Sequence, residues 1–83
     1  MKPYKDEDNI RVFTTKVKKL QLIWHKDKES RYIEVLEGIG WSFQRDDELP
    51  LVLSKGDIIF IKAFQTHRIL KGITKLKIRI NKI

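Results

Sequence analysis

Eighty-three residues with 18 Lys and Arg against 11 Asp and Glu carry a net charge of +7, and at 41% hydrophobic and 35% charged they suit one folded core with no room for a second. The absence of cysteine excludes disulfides, thiolate metal sites and a cysteine nucleophile, which leaves His, Asp and Glu as the possible metal ligands. No apolar run approaches the ~20 residues of a membrane span, and the opening Met-Lys-Pro-Tyr-Lys-Asp-Glu lacks a secretory hydrophobic stretch, so a soluble, cytoplasmic protein is expected.

Residues 1–9 are polar, with one Pro and three consecutive acids, and read as a flexible arm. Residues 10–83 read as the folded domain. The run Lys16 to Trp24 alternates imperfectly, with Leu20, Leu22 and Trp24 on one face, and stops at the charged stretch His25-Lys26-Asp27-Lys28-Glu29. Short strands follow at Arg31 to Glu37, Gly40 to Arg45, Pro50 to Leu53, Asp57 to Lys62 and Thr66 to Lys71. The last strand is the clearest: Lys75 to Ile80 alternates cation and aliphatic, which turns Leu76, Ile78 and Ile80 inward on a pleated strand. Gly38, Gly40, Gly56, Gly72 and the acidic Asp46-Asp47-Glu48 supply the turns between these runs. No segment sustains a helical period, so the fold class is all-β, a sandwich or barrel of seven or eight short strands.

Charge is placed unevenly along the chain. After Asp57 there is no acidic residue, while Lys62, Arg68, Lys71, Lys75, Lys77, Arg79 and Lys82 supply seven cations. Such a C-terminal third suits an anionic partner, or else strands that carry Lys outward. A domain of this size buries only about 60% of its unfolded surface, so a homodimer is expected.

The chain has two histidines, each between an apolar run and a polar turn. Gly56-Asp57 followed by an apolar strand, a short turn and His67, eleven positions after the Gly, resembles the second conserved motif of the cupin superfamily. In the segment ending at Gly38, His25 and Asp27 fall on the two positions of that family's His-x-His, and Arg31 on its Glu. The resemblance spans about residues 20 to 82 and implies a small jelly-roll β-barrel with a ligand or metal in its cavity. It implies His25, Asp27 and His67 as ligands of a divalent ion such as Fe, Mn, Zn or Ni. Two imidazoles and one carboxylate are also the composition of a facial triad with open positions. Glu29 is an alternative to Asp27. Arg31 departs from the family's Glu and places a cation there, suited to a carboxylate partner or to a ligand's anionic group. Lys62 and Phe64 stand where the second motif has Pro and Gly.

On the strand after the first motif, Trp41 and Phe43 share one face and Ser42 and Gln44 the other. Trp41 and Gln44, with Arg31 and His67, are the expected contacts for a compact polar or anionic small molecule; core packing is the alternative for the aromatics. A nucleophile elbow and a dinucleotide fingerprint are both missing, and whether the domain catalyses a reaction stays open. Two other readings remain. One is a nucleic-acid module using Lys75, Lys77 and Arg79 with Phe13, Tyr32, Trp41 and Phe43. The other is an interaction scaffold whose interior is filled by Trp41, Phe60 and Phe64.

Overall fold

The inward row Leu76, Ile78 and Ile80 forms the middle of the molecule, at 1%, 7% and 6% exposure. In the computed structural model, which describes residues 4–7, 9–16 and 22–82, it lies on the central strand of the larger of two antiparallel sheets. In chain order the strands are β1 (Tyr4–Glu7), β2 (Ile10–Phe13), β3 (Arg31–Glu37), β4 (Ser42–Arg45), β5 (Leu51–Val52), β6 (Ile58–Ile61), β7 (His67–Leu70) and β8 (Leu76–Lys82). The larger sheet runs β1-β2-β8-β3-β6 and the smaller β5-β4-β7. No helix occurs among the described residues, so none is long and apolar enough to cross a membrane.

Register explains why these faces meet. Ile33 on β3 stands between Ile59 on β6 and Ile80 on β8, Val35 faces Ile78, and Phe13 on β2 faces Leu76. Because side chains alternate along a strand, this pairing gathers the apolar residues of four strands on one face. Trp41, Phe43 and Leu53 cover it from the other side, all buried. Burying each large side chain contributes roughly 1.5–3 kcal/mol, whereas an exposed pair such as Arg79–Glu34, at 2.8 Å, contributes about 0–1 kcal/mol. The core therefore sets the fold, and the outer cations decorate it.

Two groups tie the sheets together. Arg45 donates from Nη2 to the Phe60 carbonyl of the opposite sheet at 2.7 Å and from Nε to Gln65 Oε1 at 3.2 Å. The Trp41 indole donates to the Thr74 carbonyl at 2.6 Å. Gly72 makes the approach at this end possible, since a Cβ there would collide with the Ile39 carbonyl and the Trp41 ring.

The sheets do not close into a barrel, which corrects the expectation of one. Closure needs a continuous ladder. Among the described residues the smaller sheet ends at the two-residue β5 on one side and at an isolated His25–His67 bridge beside β7 on the other. In the stretch expected as a flexible arm, residues 4–7 pair with β2, Tyr4 opposite Phe13 and Glu7 opposite Ile10. The strand expected over Lys16 to Trp24 falls partly on residues 17–21, outside the described residues. Residues 22–24 carry no strand, although Leu22 is buried in the core.

Candidate metal centre

Three backbone hydrogen bonds assemble the site from segments distant in sequence. His25 and His67 exchange N–H···O bonds of 2.9 Å, and the Phe64 N–H donates to the Asp27 carbonyl at 2.7 Å. The segment from His25 to Asp27 is thereby held against the β6–β7 turn and the start of β7, although it belongs to no strand. The Ala63 N–H donates to Ser30 Oγ at 2.9 Å, fixing the same turn against the entry to β3. On β3, Arg31 continues the inward row of Ile33 and Val35 and sits opposite Ile61, so its side chain enters the space between the sheets.

Ligand atoms of His25, Asp27 and His67 all lie within 4.8 Å of one another. Bonds of about 2.0–2.2 Å to one ion need donors somewhat closer than that, a gap that side-chain rotation closes, and His67 Nε2 already stands 3.2 Å from Asp27 Oδ2. The ring protons decide what these atoms can do. His25 Nδ1 faces the Ile23 carbonyl at 3.0 Å and His67 Nδ1 the Gln65 carbonyl at 2.8 Å. A carbonyl oxygen only accepts, so both rings carry a proton on Nδ1 and, when neutral, a lone pair on Nε2. Metal-bound histidines are oriented by the same kind of backbone contact.

Electrostatics sharpens the point. Burial holds the His67 pKa below its ordinary value; the Gln65 carbonyl and Asp27 oppose that shift, while His25 and Arg31 reinforce it. The neutral ring is favoured, and with the proton on Nδ1 its Nε2 lone pair is turned to Asp27 Oδ2 at 3.2 Å. Two imidazole nitrogens and a carboxylate within 4.8 Å of one another are a donor set that fits a divalent ion.

Arg31 lies beside the cluster. Its Nε approaches Asp27 Oδ2 at 3.7 Å, longer than a hydrogen bond, and this buried nitrogen has no hydrogen-bond partner. Behind the four residues a cavity of about 80 Å³ extends between the sheets, walled by apolar side chains that include Ile33, Phe43, Ile59 and Ile69, with Arg11 as a further polar group. His25 is solvent-exposed and His67 only 4% exposed, so the cluster runs from the surface to the interior at this end.

No family model, curated protein or solved structure matches the chain. What the site can do rests on its own geometry.

The structure thus brings together four of the residues singled out in the sequence: His25, Asp27, Arg31 and His67. Trp41 and Gln44 lie apart from them. Trp41 has no exposed surface and packs against Phe13, ring centroids 6.0 Å apart. The Gln44 amide accepts from Arg68 Nε at 2.9 Å and donates to the Glu48 carbonyl at 3.0 Å, so both its ends are engaged away from the cavity. Glu29, the alternative to Asp27, reaches Lys82 at 3.9 Å instead. Phe60 and Phe64 are exposed and leave the cavity free. Arg11 was not legible as a site residue because β2 was not expected; the alternation of Arg11 and Phe13 within Ile10–Phe13 is the signal that places it on the inner face.

Proposed function

We propose that this domain is a cupin-like jelly roll that binds a divalent metal through His25 Nε2, His67 Nε2 and the Asp27 carboxylate, and holds a compact polar or anionic ligand in the adjoining cavity. The observation that carries this reading is the grouping of ligand atoms of His25, Asp27 and His67 within 4.8 Å of one another, with each imidazole Nδ1 turned to a backbone carbonyl so that Nε2 is left as the donor. The cupin-like spacing of His25, Asp27 and His67 in the sequence supports it independently. A divalent ion bound there would supply Lewis-acid polarisation of a ligand oxygen. This chain's own residues would orient the donors and exclude bulk water with the apolar wall, while Arg31 offsets the charge of Asp27.

The nucleic-acid reading loses ground on placement. Phe13, Trp41 and Phe43 are buried, which leaves Tyr32 as the exposed aromatic of that set, and Lys75 and Arg79 lie 3.9 and 2.8 Å from Glu37 and Glu34. A stacking surface needs aromatic faces in solvent beside unpaired cations.

Elemental analysis of untagged protein after equilibration with Mn²⁺, Zn²⁺ or Ni²⁺ tests the metal assignment. Near-stoichiometric metal is expected in wild type and its loss in His25→Ala, whose exposed position lets the fold persist. Metal retained by His25→Ala, or no uptake by folded wild type, would overturn the assignment.

A further inference from the structure

Arg31 poses a problem that the metal reading alone leaves unsolved. Its Nε is buried without a hydrogen-bond partner, and its carboxylate neighbour Asp27, at 3.7 Å, is closer to His67. A buried guanidinium nitrogen left unpaired is costly, and native structures rarely keep one without a use. Charge counting points the same way. Asp27 and Arg31 offset each other and neutral histidines add nothing, so a divalent ion would leave two uncompensated positive charges beside apolar walls. That arrangement calls for an anion.

The rest of the cavity says which kind. Apart from Arg11, which has an interaction of its own, the rest of the lining, Ile33, Phe43, Leu53, Ile59 and Ile69 among it, offers no hydrogen bonds from side chains, so a phosphate or a sugar would leave several oxygens without partners. A carboxylate confines its polarity to two oxygens at one end, and its planar fork matches a guanidinium. Size narrows the class further. A water-sized group takes roughly 10–15 Å³ of such a volume, so about 80 Å³ admits a body of about five to eight non-hydrogen atoms.

From these observations, and resting on the metal reading above, the geometry points to a short aliphatic carboxylate as the ligand, its carboxylate held at the polar end by Arg31 and the metal and its hydrocarbon body among the apolar side chains. Arg31 is then the residue that selects acid over alcohol, and the apolar wall selects it over inorganic anions.

Calorimetric titration of the full chain tests this, reading metal first and ligand second. Mn²⁺ is titrated alone; then 3-methylbutanoate, 3-methylbutan-1-ol and inorganic phosphate are each titrated into the Mn²⁺-loaded and the metal-free protein. Mn²⁺ uptake is expected, with 3-methylbutanoate binding the loaded form about tenfold or more tighter than either comparison ligand or the metal-free form. Arg31→Met, which keeps the length of the side chain and removes its charge, should still take up Mn²⁺ and lose about tenfold or more in carboxylate affinity. If Mn²⁺ binds but the acid binds no better than the alcohol or phosphate, or Arg31→Met binds it equally well, the ligand assignment fails and the metal site stands. Equal binding to the metal-free form overturns the shared role of the ion. No Mn²⁺ uptake removes both readings together. The comparison of acid and alcohol on wild type decides the question even if Arg31→Met does not fold.

Discussion

A neutral imidazole buried at the start of β7 costs far less than a charged one, and His67 is held there by the Gln65 carbonyl, the edge of the His25 ring at 4.3 Å and the tilted Phe43 ring at 5.6 Å. Its titration is therefore linked to folding. Burial lowers the folded-state pKa, and the unfolded chain, near the ordinary value of about 6.5, binds the proton more readily. Stability rises with pH wherever the unfolded state holds more protons. The contribution of His67 is thus complete above the unfolded value and disappears as pH falls through the folded one. The charged and titratable groups facing the ring are His25, Asp27 and Arg31, and the shift is the net of all three with burial. The urea midpoint of metal-free protein is expected to fall as pH is lowered from 8 to 5, and to fall less steeply in His67→Gln. A midpoint that is flat or rises on acidification would contradict the neutral assignment.

At the scale of elements, the β6–β7 turn does most to build the site. It presents the Phe64 N–H to Asp27, receives Ser30 Oγ at Ala63 and delivers His67 into β7. Its geometry has a cost, because Phe64 adopts φ 65°, a left-handed conformation that only Gly takes freely. In the resemblance drawn from the sequence Phe64 falls on a Gly position, and its backbone takes the conformation that Gly favours. The left-handed conformation costs a non-glycine residue about 1–2 kcal/mol, while the extra unfolded-state entropy of Gly takes back about 0.5–1 kcal/mol. With the Phe64 ring 66% exposed, little burial is lost on removing it. Phe64→Gly is accordingly expected to raise stability by about 0.5–1 kcal/mol, seen as a higher urea midpoint at unchanged slope. A lower midpoint would mean that the ring contributes packing its exposure does not suggest.

Over the whole molecule, the sequence was most legible where alternation and burial coincide. Leu76 to Ile80 of the expected last strand falls within β8, Arg31 to Glu37 is β3, and β4, β6 and β7 lie inside their expected ranges. The first two strands were hidden because β1 is an edge strand, where charged residues such as Asp6 and Glu7 are at home, and because β2 is only four residues long. Closure was not legible either. Local pattern fixes which residues face inward, but whether a ladder runs all the way round depends on pairing between distant strands, and among the described residues β5 and the His25–His67 bridge end it. The site divides in the same way. The resemblance drawn from the sequence singled out His25, Asp27, Arg31 and His67, which the fold brings together; the row of Arg31, Ile33 and Val35 that turns the guanidinium inward shows only in the strand register. The surroundings of Trp41 and Gln44 depend on which neighbours cover them, and the core and Arg68 occupy those places.

The most direct test of the metal assignment is the anomalous signal from crystals equilibrated with Mn²⁺ or Zn²⁺. One strong peak is expected, bonded by Nε2 of His25, Nε2 of His67 and an Asp27 carboxylate oxygen at about 2.0–2.2 Å, with both Nδ1–H groups still donating to Ile23 and Gln65. A peak elsewhere on the molecule, or none in crystals where these three side chains keep their metal-free positions, would contradict it.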